Sequence, residues 1–310
     1  MSNRAPVLLV LAVAAAAACS SGSGTPAASP SGSPAAPGSP APTTAPSPSA
    51  SAARLILRVT GEGGFIGPAA NLNAVPSVSV YADGRILTPG GQAAMYPGPL
   101  VPSVSVRDLG PAGAAAIVQA IRAAGLDRDA TGSGGGIAGD TGTNVFSVTL
   151  DGATVVTRYA LGGGAPGPGG PGVPGGPGGS DDPARAAALD LLARLTDPAE
   201  TWGQPAAPET ADVPLGYRVF VAPGAPAVDP AVTQASVAWP LTPGLDEYGT
   251  PAVPDRGIPG LRLAAILGAD AAAMKPVFDV ATSVTPFTSG GQPYTLYVRP
   301  LLPDELGGSQ

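Results

Sequence analysis

The stretch NVFSVTLDGATVVTRYAL, residues 144–161, decides the fold class. Apolar and polar side chains alternate on both sides of Asp151-Gly152, a dipeptide suited to the left-handed central positions of a type I′ turn. A two-residue turn there sets Leu150 opposite Ala153, Val148 opposite Val155 and Phe146 opposite Thr157. The segment is therefore an antiparallel hairpin.

Working outward, LILRV (55–59) reads as a strand, and VPSVSVYADGRILTPG (75–90) as a second hairpin. In the latter, a two-residue turn at Asp83-Gly84 would pair Val80 with Leu87. A further strand in VPSVSVRDL (101–109) leads to Gly110-Pro111, with Pro at the first helical position. The helix that follows gathers Ala114, Ile117, Val118 and Ile121 on one face and stops at Gly125. Asp182-Pro183 reads as the cap and first turn of another helix, which carries Leu189, Leu192 and Leu195 inward and ends before Asp197-Pro198.

Beyond it, GYRVFVAP (216–223), ASVAWPL (235–241), LRLAAIL (261–267) and YTLYVRPLL (294–302) read as strands. A helix around Ala271–Ala281 contains Pro276, which either kinks it or marks its start after a turn at Asp270. The expectation is an α+β fold of antiparallel strands and hairpins with a few packed helices. It divides into an N-terminal lobe, 54–196, and a C-terminal lobe, 197–310, with similar grammar. A flexible Gly/Pro insertion, 162–180, interrupts the first lobe and lacks the strict three-residue period of collagen.

The composition excludes several chemistries. The 310 residues contain no His, a single cysteine (Cys19) and a single lysine (Lys275). No Ser-His or Cys-His pair, no His-ligated zinc and no intrachain disulfide can be built, and neither a metal nor another cofactor is expected. A net charge of −7 argues against a nucleic-acid partner. Gly (45) and Pro (39) are abundant, but much of both is local.

Arg4 precedes an apolar run from Val7 to Ala18 that is too short to span a bilayer and has the layout of a secretory leader. The run ends in Ala16-Ala17-Ala18-Cys19, which resembles the bacterial lipobox, apart from Ala16 where Leu is usual. That resemblance implies a signal peptide at 1–18, acylation of Cys19 with palmitate-type chains, and a protein held on the outer face of the cell membrane. Ordinary cleavage at an A-x-A site is the rival. Residues 20–53 hold no large apolar side chain and read as a disordered Ser/Pro/Ala tether, reaching on the order of 100 Å if extended. Its Ser/Thr-Pro composition also permits O-glycosylation.

Other short motifs read more simply as structure. Asp140-Thr141-Gly142-Thr143 matches the aspartic-protease string but has no second copy to share a proton with. Asp127 to Ala138 opens like a calcium loop and lacks the final Glu. Gly134, Gly136 and Gly139 follow a helix where a dinucleotide site needs a strand. Lys275 reads as an exposed helix residue. Arg299 with Asp304 or Glu305 reads as an ion pair closing the last strand.

Trp202 and Trp239, with Tyr217, Tyr248, Tyr294 and Tyr297, could line a carbohydrate- or peptide-binding surface, although with aromatics only 5% of the chain most of them are needed for the core. Trp239, Tyr248 and Tyr297 are the candidates for contact with a ligand or partner protein.

The strings YADGRILTPG, YPGPLVPSVSVRDL, DTGTNVFSVTLDGATVVTRYAL and TPFTSGGQPYTLYVRPLLPDE resemble exported lipoproteins of unknown function from high-GC Gram-positive bacteria. The resemblance spans most of 54–305 and implies a localisation, without an activity or catalytic residues. The expected function is a non-enzymatic envelope module that binds a protein or glycan partner. The alternatives are a carboxylate hydrolase of envelope glycan or peptide, using two of Asp140, Asp246, Glu247, Asp304 and Glu305, and a purely structural spacer.

Overall fold

The computed structural model describes residues 54–63, 67, 69, 71–92, 94–128, 142–160, 182–227, 229, 231–254 and 257–307. The leader, Cys19, the tether, Asp140, the Gly134/Gly136/Gly139 string, most of the calcium-like loop and the Gly/Pro insertion lie outside the described residues.

Among the described residues, the fold is α+β, with two sheets and three helices. The first sheet is built from β1 (Leu55–Glu62), β2 (Val78–Tyr81), β3 (Arg85–Pro89), β4 (Val104–Asp108), β5 (Thr143–Leu150), β6 (Ala153–Ala160) and the short β7 (Thr210–Ala211). Its order is β6-β5-β1-β2-β3-β4-β7, every pair antiparallel. The second contains β8 (Gly216–Pro223), β9 (Val237–Ala238), β10 (Thr250–Pro251), β11 (Arg262–Leu267), β12 (Phe287–Ser289) and β13 (Gln292–Pro300), in the order β10-β11-β8-β13-β12-β9. Among the described strands of this sheet, β9 and β12 pair in parallel and the others antiparallel.

The β5–β6 hairpin has the expected register: Leu150 faces Ala153, Val148 faces Val155 and Phe146 faces Thr157. Asp151 (φ 51°) and Gly152 (φ 82°) are both left-handed, as a type I′ turn requires. The β2–β3 hairpin differs. Val80 faces Ile86, and Leu87 faces Ser79. The connection is a three-residue loop, Ala82-Asp83-Gly84, in which Gly84 alone is left-handed (φ 98°) and its N–H donates to the Tyr81 carbonyl at 3.0 Å. The Asp83 carboxylate holds this loop by accepting from the Arg85 amide and from Arg85 Nε. The extra residue moves Ile86 into the core beneath the helices and sends Leu87 to the opposite face.

Two helices cover one face of the first sheet. In α1 (Gly110–Ala123), Ala114, Ile117 and Ile121 are buried and Val118 is half-buried, and left-handed Gly125 follows the helix end. In α2 (Pro183–Thr196), the Asp182 side chain accepts from the Ala184 amide as the cap. The buried face of α2 is Ala188, Leu191 and Leu195, not Leu189, Leu192 and Leu195. Steps of three then four residues follow the 3.6-residue turn, whereas repeated steps of three drift around the helix. These residues share one core with Leu57, Val59, Val78, Val80, Ile86 and Phe146. The register between β1 and β2 shifts between Leu55 and Leu57, so Ile56 and Leu57 both enter that core.

The second sheet packs α3 (Gly268–Val280) over Tyr217, Val219, Val221, Ile266 and Val298. The helix starts at Gly268, before the turn expected at Asp270, and Pro276 lies inside it. The carbonyl deprived of its donor belongs to Ala272, which is exposed along with Pro276, so water can satisfy it. Of ASVAWPL, only Val237 and Ala238 pair as a strand, and Pro240 follows without an amide to extend the ladder.

Candidate binding site

The opposite face of the first sheet carries Tyr81, Leu87 and Val104, and Leu302 from the chain end packs among them. This contact brings the segment after β13 against β1 and β2. Period-two alternation puts Leu57 and Val59 in the helix-side core, so Arg58 between them projects to this face.

A network of charged hydrogen bonds forms there. Arg58 Nη2 donates to both Asp304 carboxylate oxygens, at 2.8 and 3.0 Å, and the Tyr81 hydroxyl donates to Asp304 Oδ1 at 2.7 Å. Arg299 grips Glu305 with two parallel bonds of 2.7 Å, the planar fork on a planar carboxylate. The Leu302 amide adds a third donor to Glu305, and Arg58 Nη1 lies 3.7 Å from it. Burial alone would push the Glu305 carboxyl up. The Arg299 bonds and charge, the Leu302 amide and the Arg58 charge outweigh burial and hold it below the usual carboxylate range. Tyr81 moves the other way: burial, then the neighbouring Asp304 charge, keeps its hydroxyl protonated well above the usual phenol range.

Beside this network lies a cleft of about 170 Å³ between the two sheets. Its polar lining is Arg58 and Thr60 of β1, Asn71 of the following loop, Arg218 of β8, Arg299 of β13 and Glu305. Leu72, Pro76 and Phe220 supply apolar wall. Arg218 and Arg299 are direct cross-strand partners, and the Arg218 guanidinium lies 5.1 Å from the Phe220 ring centre. Like charges placed opposite one another on a ladder are locally unfavourable. Among the described residues, the buried Arg58 Nε–H also has no acceptor.

Arg299, Asp304 and Glu305 are thus an ion-pair network, as their spacing suggested, but Asp304 goes to Arg58 and only Glu305 to Arg299. Sequence reasoning missed Arg58, Tyr81 and Arg218. The available signal was an arginine interrupting an apolar strand, in LILRV and in GYRVFVAP.

The aromatic candidates separate. Trp239 packs edge-on against Tyr248, ring centres 5.0 Å apart, beside Phe287 in the core under α3. Tyr248 is buried and Trp239 half-buried. Tyr297 lies elsewhere, half-buried beside Leu72 and Phe220. Trp202, Tyr217 and Tyr294 are buried.

Asp246 and Glu247 are exposed. Among the described residues, the carboxyl pushed upward is Asp212, where burial outweighs the Arg85 charge and the Val213 amide. Lys275 pairs with Asp279 one helical turn away on an exposed face. Among the described residues, no cluster of three or more Cys, Asp or Glu side chains could hold a metal, and no helix is long and apolar enough to cross a membrane.

Compared with family models, with curated proteins and with solved structures, the chain matches none.

Proposed function

We propose that this chain is a lipid-anchored module of the bacterial cell envelope, of the exported-lipoprotein kind its sequence strings resemble, whose α+β body binds a partner and does not transform it. Acyl chains on Cys19 hold it at the outer face of the membrane, and residues 20–53 keep the body clear of the surface. More than one acyl chain is required, because a single chain gives only marginal attachment.

One observation carries the choice of binding over catalysis. The interior acidic pair Asp304 and Glu305 is clasped by Arg58, Arg299 and Tyr81, so both carboxylates are held as hydrogen-bond acceptors. A hydrolytic pair needs one carboxyl held protonated beside another that is ionised. Glu305 is pushed the opposite way. The adjoining cleft is recessed and polar, with an apolar wall, as small binding sites are.

The test is crosslinking in intact cells, with membrane fractionation, of the native protein and of Cys19→Ala. The native form should sediment with membranes and yield one recurring envelope component, and Cys19→Ala should lose both. Equal membrane retention of the two forms would overturn the anchor. Glycan or peptide hydrolysis by the purified protein, abolished by Asp246→Asn or Asp304→Asn, would overturn the binding role.

A further inference from the structure

We infer that two shallow grooves meeting at Asn73 form a binding site for a neutral polysaccharide and hold two consecutive sugar residues of its strand. The inference rests on the binding role proposed above and gives it a ligand class. The grooves lie beside the charged cleft, across the strip formed by residues 71–76.

The first groove, of about 250 Å³, is walled by Pro89, Pro99 and Pro102 and carries the Asn73 and Gln92 amides. The second, of about 220 Å³, is walled by Leu100, Leu296 and the Tyr297 ring and carries Asn73 again with the Ser283 hydroxyl. Backbone contacts fix the walls. The Leu100 amide donates to the Ala281 carbonyl at 3.0 Å, the Ser283 amide donates to the Gly98 carbonyl at 2.9 Å, and Pro99 bridges to Thr282. The loop after β3 is thereby stitched to the segment before β12, so the grooves are formed before a ligand arrives.

Charge sets these grooves apart. Their linings come from three stretches, 63–82, 86–106 and 280–298, and none of the three contains an Asp, Glu, Lys or Arg. The neighbouring cleft, by contrast, includes Arg58, Arg299 and Glu305. A charged ligand would lose hydration in the grooves with no opposite charge to replace it. The polar groups present are amides and hydroxyls, which both donate and accept, and sugar hydroxyls do the same. Among the described residues, the side chains of Asn73, Gln92, Ser283 and Tyr297 hydrogen-bond to no other protein group, which leaves them open to a ligand.

Shape narrows the class further. The Tyr297 ring and the prolines offer flat apolar area to the C–H face of a sugar ring. An extended peptide adds to an open strand edge, but β3 and β13, which contribute Pro89, Leu296 and Tyr297, are interior strands. A lipid chain would leave the amides unpaired in hydrocarbon. Each volume is several times the roughly 30 Å³ that one water occupies in the liquid. Each also falls short of the roughly 300–1,000 Å³ of pockets that enclose a whole drug-sized ligand. One groove therefore takes one ring, and the strand continues outside.

The experiment titrates the full chain with mono-, di- and tetrasaccharides of glucose, mannose, galactose, arabinose and N-acetylglucosamine, reading amide NMR shifts and calorimetric heats. Tetrasaccharides of galacturonic acid and of glucosamine serve as charged counterparts, and a proline-rich peptide as the peptide counterpart. At least one neutral series should shift the amides of Asn73, Gln92, Ser283 and Tyr297 together and saturably. Its disaccharide should bind at least tenfold more tightly than its monosaccharide. Affinity should hold between about 0.05 and 0.5 M salt, a range over which an ionic contact is screened.

Asn73→Ala should weaken the best disaccharide at least tenfold, with Gln119→Ala, on the exposed surface of α1, unchanged. If Asn73→Ala does not fold, Gln92→Ala in the exposed loop should weaken it severalfold. The site is overturned by silence of every neutral series, by tighter binding of a charged tetrasaccharide or the peptide, or by equal affinity for mono- and disaccharide. Binding indifferent to the Asn73 or Gln92 variant that folds overturns it as well. If the crosslinked envelope component persists while the sugars remain silent, only the ligand class fails. If both are absent, the binding role fails with it.

Discussion

Arg58 and Asp304 lie 246 positions apart in the chain, yet their side chains meet at 2.8 Å. Arg58 is on β1, an interior strand of the first sheet, and Asp304 follows β13 of the second, so the bond joins two sheets with separate cores. Both side chains are about four-fifths buried. Removing one partner leaves the other charge poorly solvated, which costs about 3–5 kcal/mol for a buried pair. Arg58→Met and Asp304→Asn should each lower the urea midpoint at unchanged slope, and the double variant should be less destabilised than the sum of the two. Strict additivity with small single effects would mean that the clasp contributes nothing.

Glu305 makes this junction sensitive to acid. Its folded-state pKa is depressed, so the unfolded chain takes up a proton before the folded one does. The stabilisation is complete above the ordinary carboxylate value of about 4.3, and is lost as pH falls below that through the folded value. Stability measured by urea should therefore fall on acidification in that window, and Glu305→Gln should flatten this part of the profile. A variant profile parallel to the native one would assign the acid sensitivity to other groups.

What was legible in the sequence is local. Asp151-Gly152 announces its turn because both residues tolerate left-handed backbone, and the eight pairs of β5 and β6 follow from it. Asp83-Gly84 presents the same letters and makes a different loop, because Asp83 turns its carboxylate to Arg85 and stays outside the left-handed region. One residue of loop length then decides whether Ile86 or Leu87 faces the helices. The cleft had no local signal of that kind. Arg58, Arg218 and Arg299 come from strands far apart in the chain, and only sheet pairing and the returning tail bring them together.

Arg107 is a further residue that the sequence did not single out. It is buried on β4 opposite Ile86, and its guanidinium donates to the carbonyls of Leu195, Asp197 and Glu200. The last carbonyls of a helix lack partners within it, so Arg107 closes the end of α2 from the sheet. Hydrogen bonds to charged groups contribute about 1.5–3 kcal/mol, and Arg107→Met should destabilise by at least that. Hydrogen exchange should rise at residues 191–200 more than in α1. Uniform acceleration across both helices would argue for a general loss of core and against a local cap.

Two glycines with the same backbone sign should respond differently to alanine. Gly152 is left-handed (φ 82°) at a turn where an added Cβ meets nothing within 4 Å. Gly152→Ala therefore carries only the backbone penalty, about 1–2 kcal/mol. Gly84 is left-handed too (φ 98°), but a Cβ there would sit 2.0 Å from the Gly110 carbonyl oxygen. That carbonyl cannot retreat freely, because it opens α1, and the Gly84 carbonyl in turn accepts from the Leu109 amide at 3.1 Å. Gly84→Ala must push the start of α1 away from the β2–β3 loop. It should lower the thermal midpoint at least twice as far as Gly152→Ala and disturb the NMR shifts of residues 108–113. Equal effects of the two substitutions would mean that the loop and the helix start are not in contact.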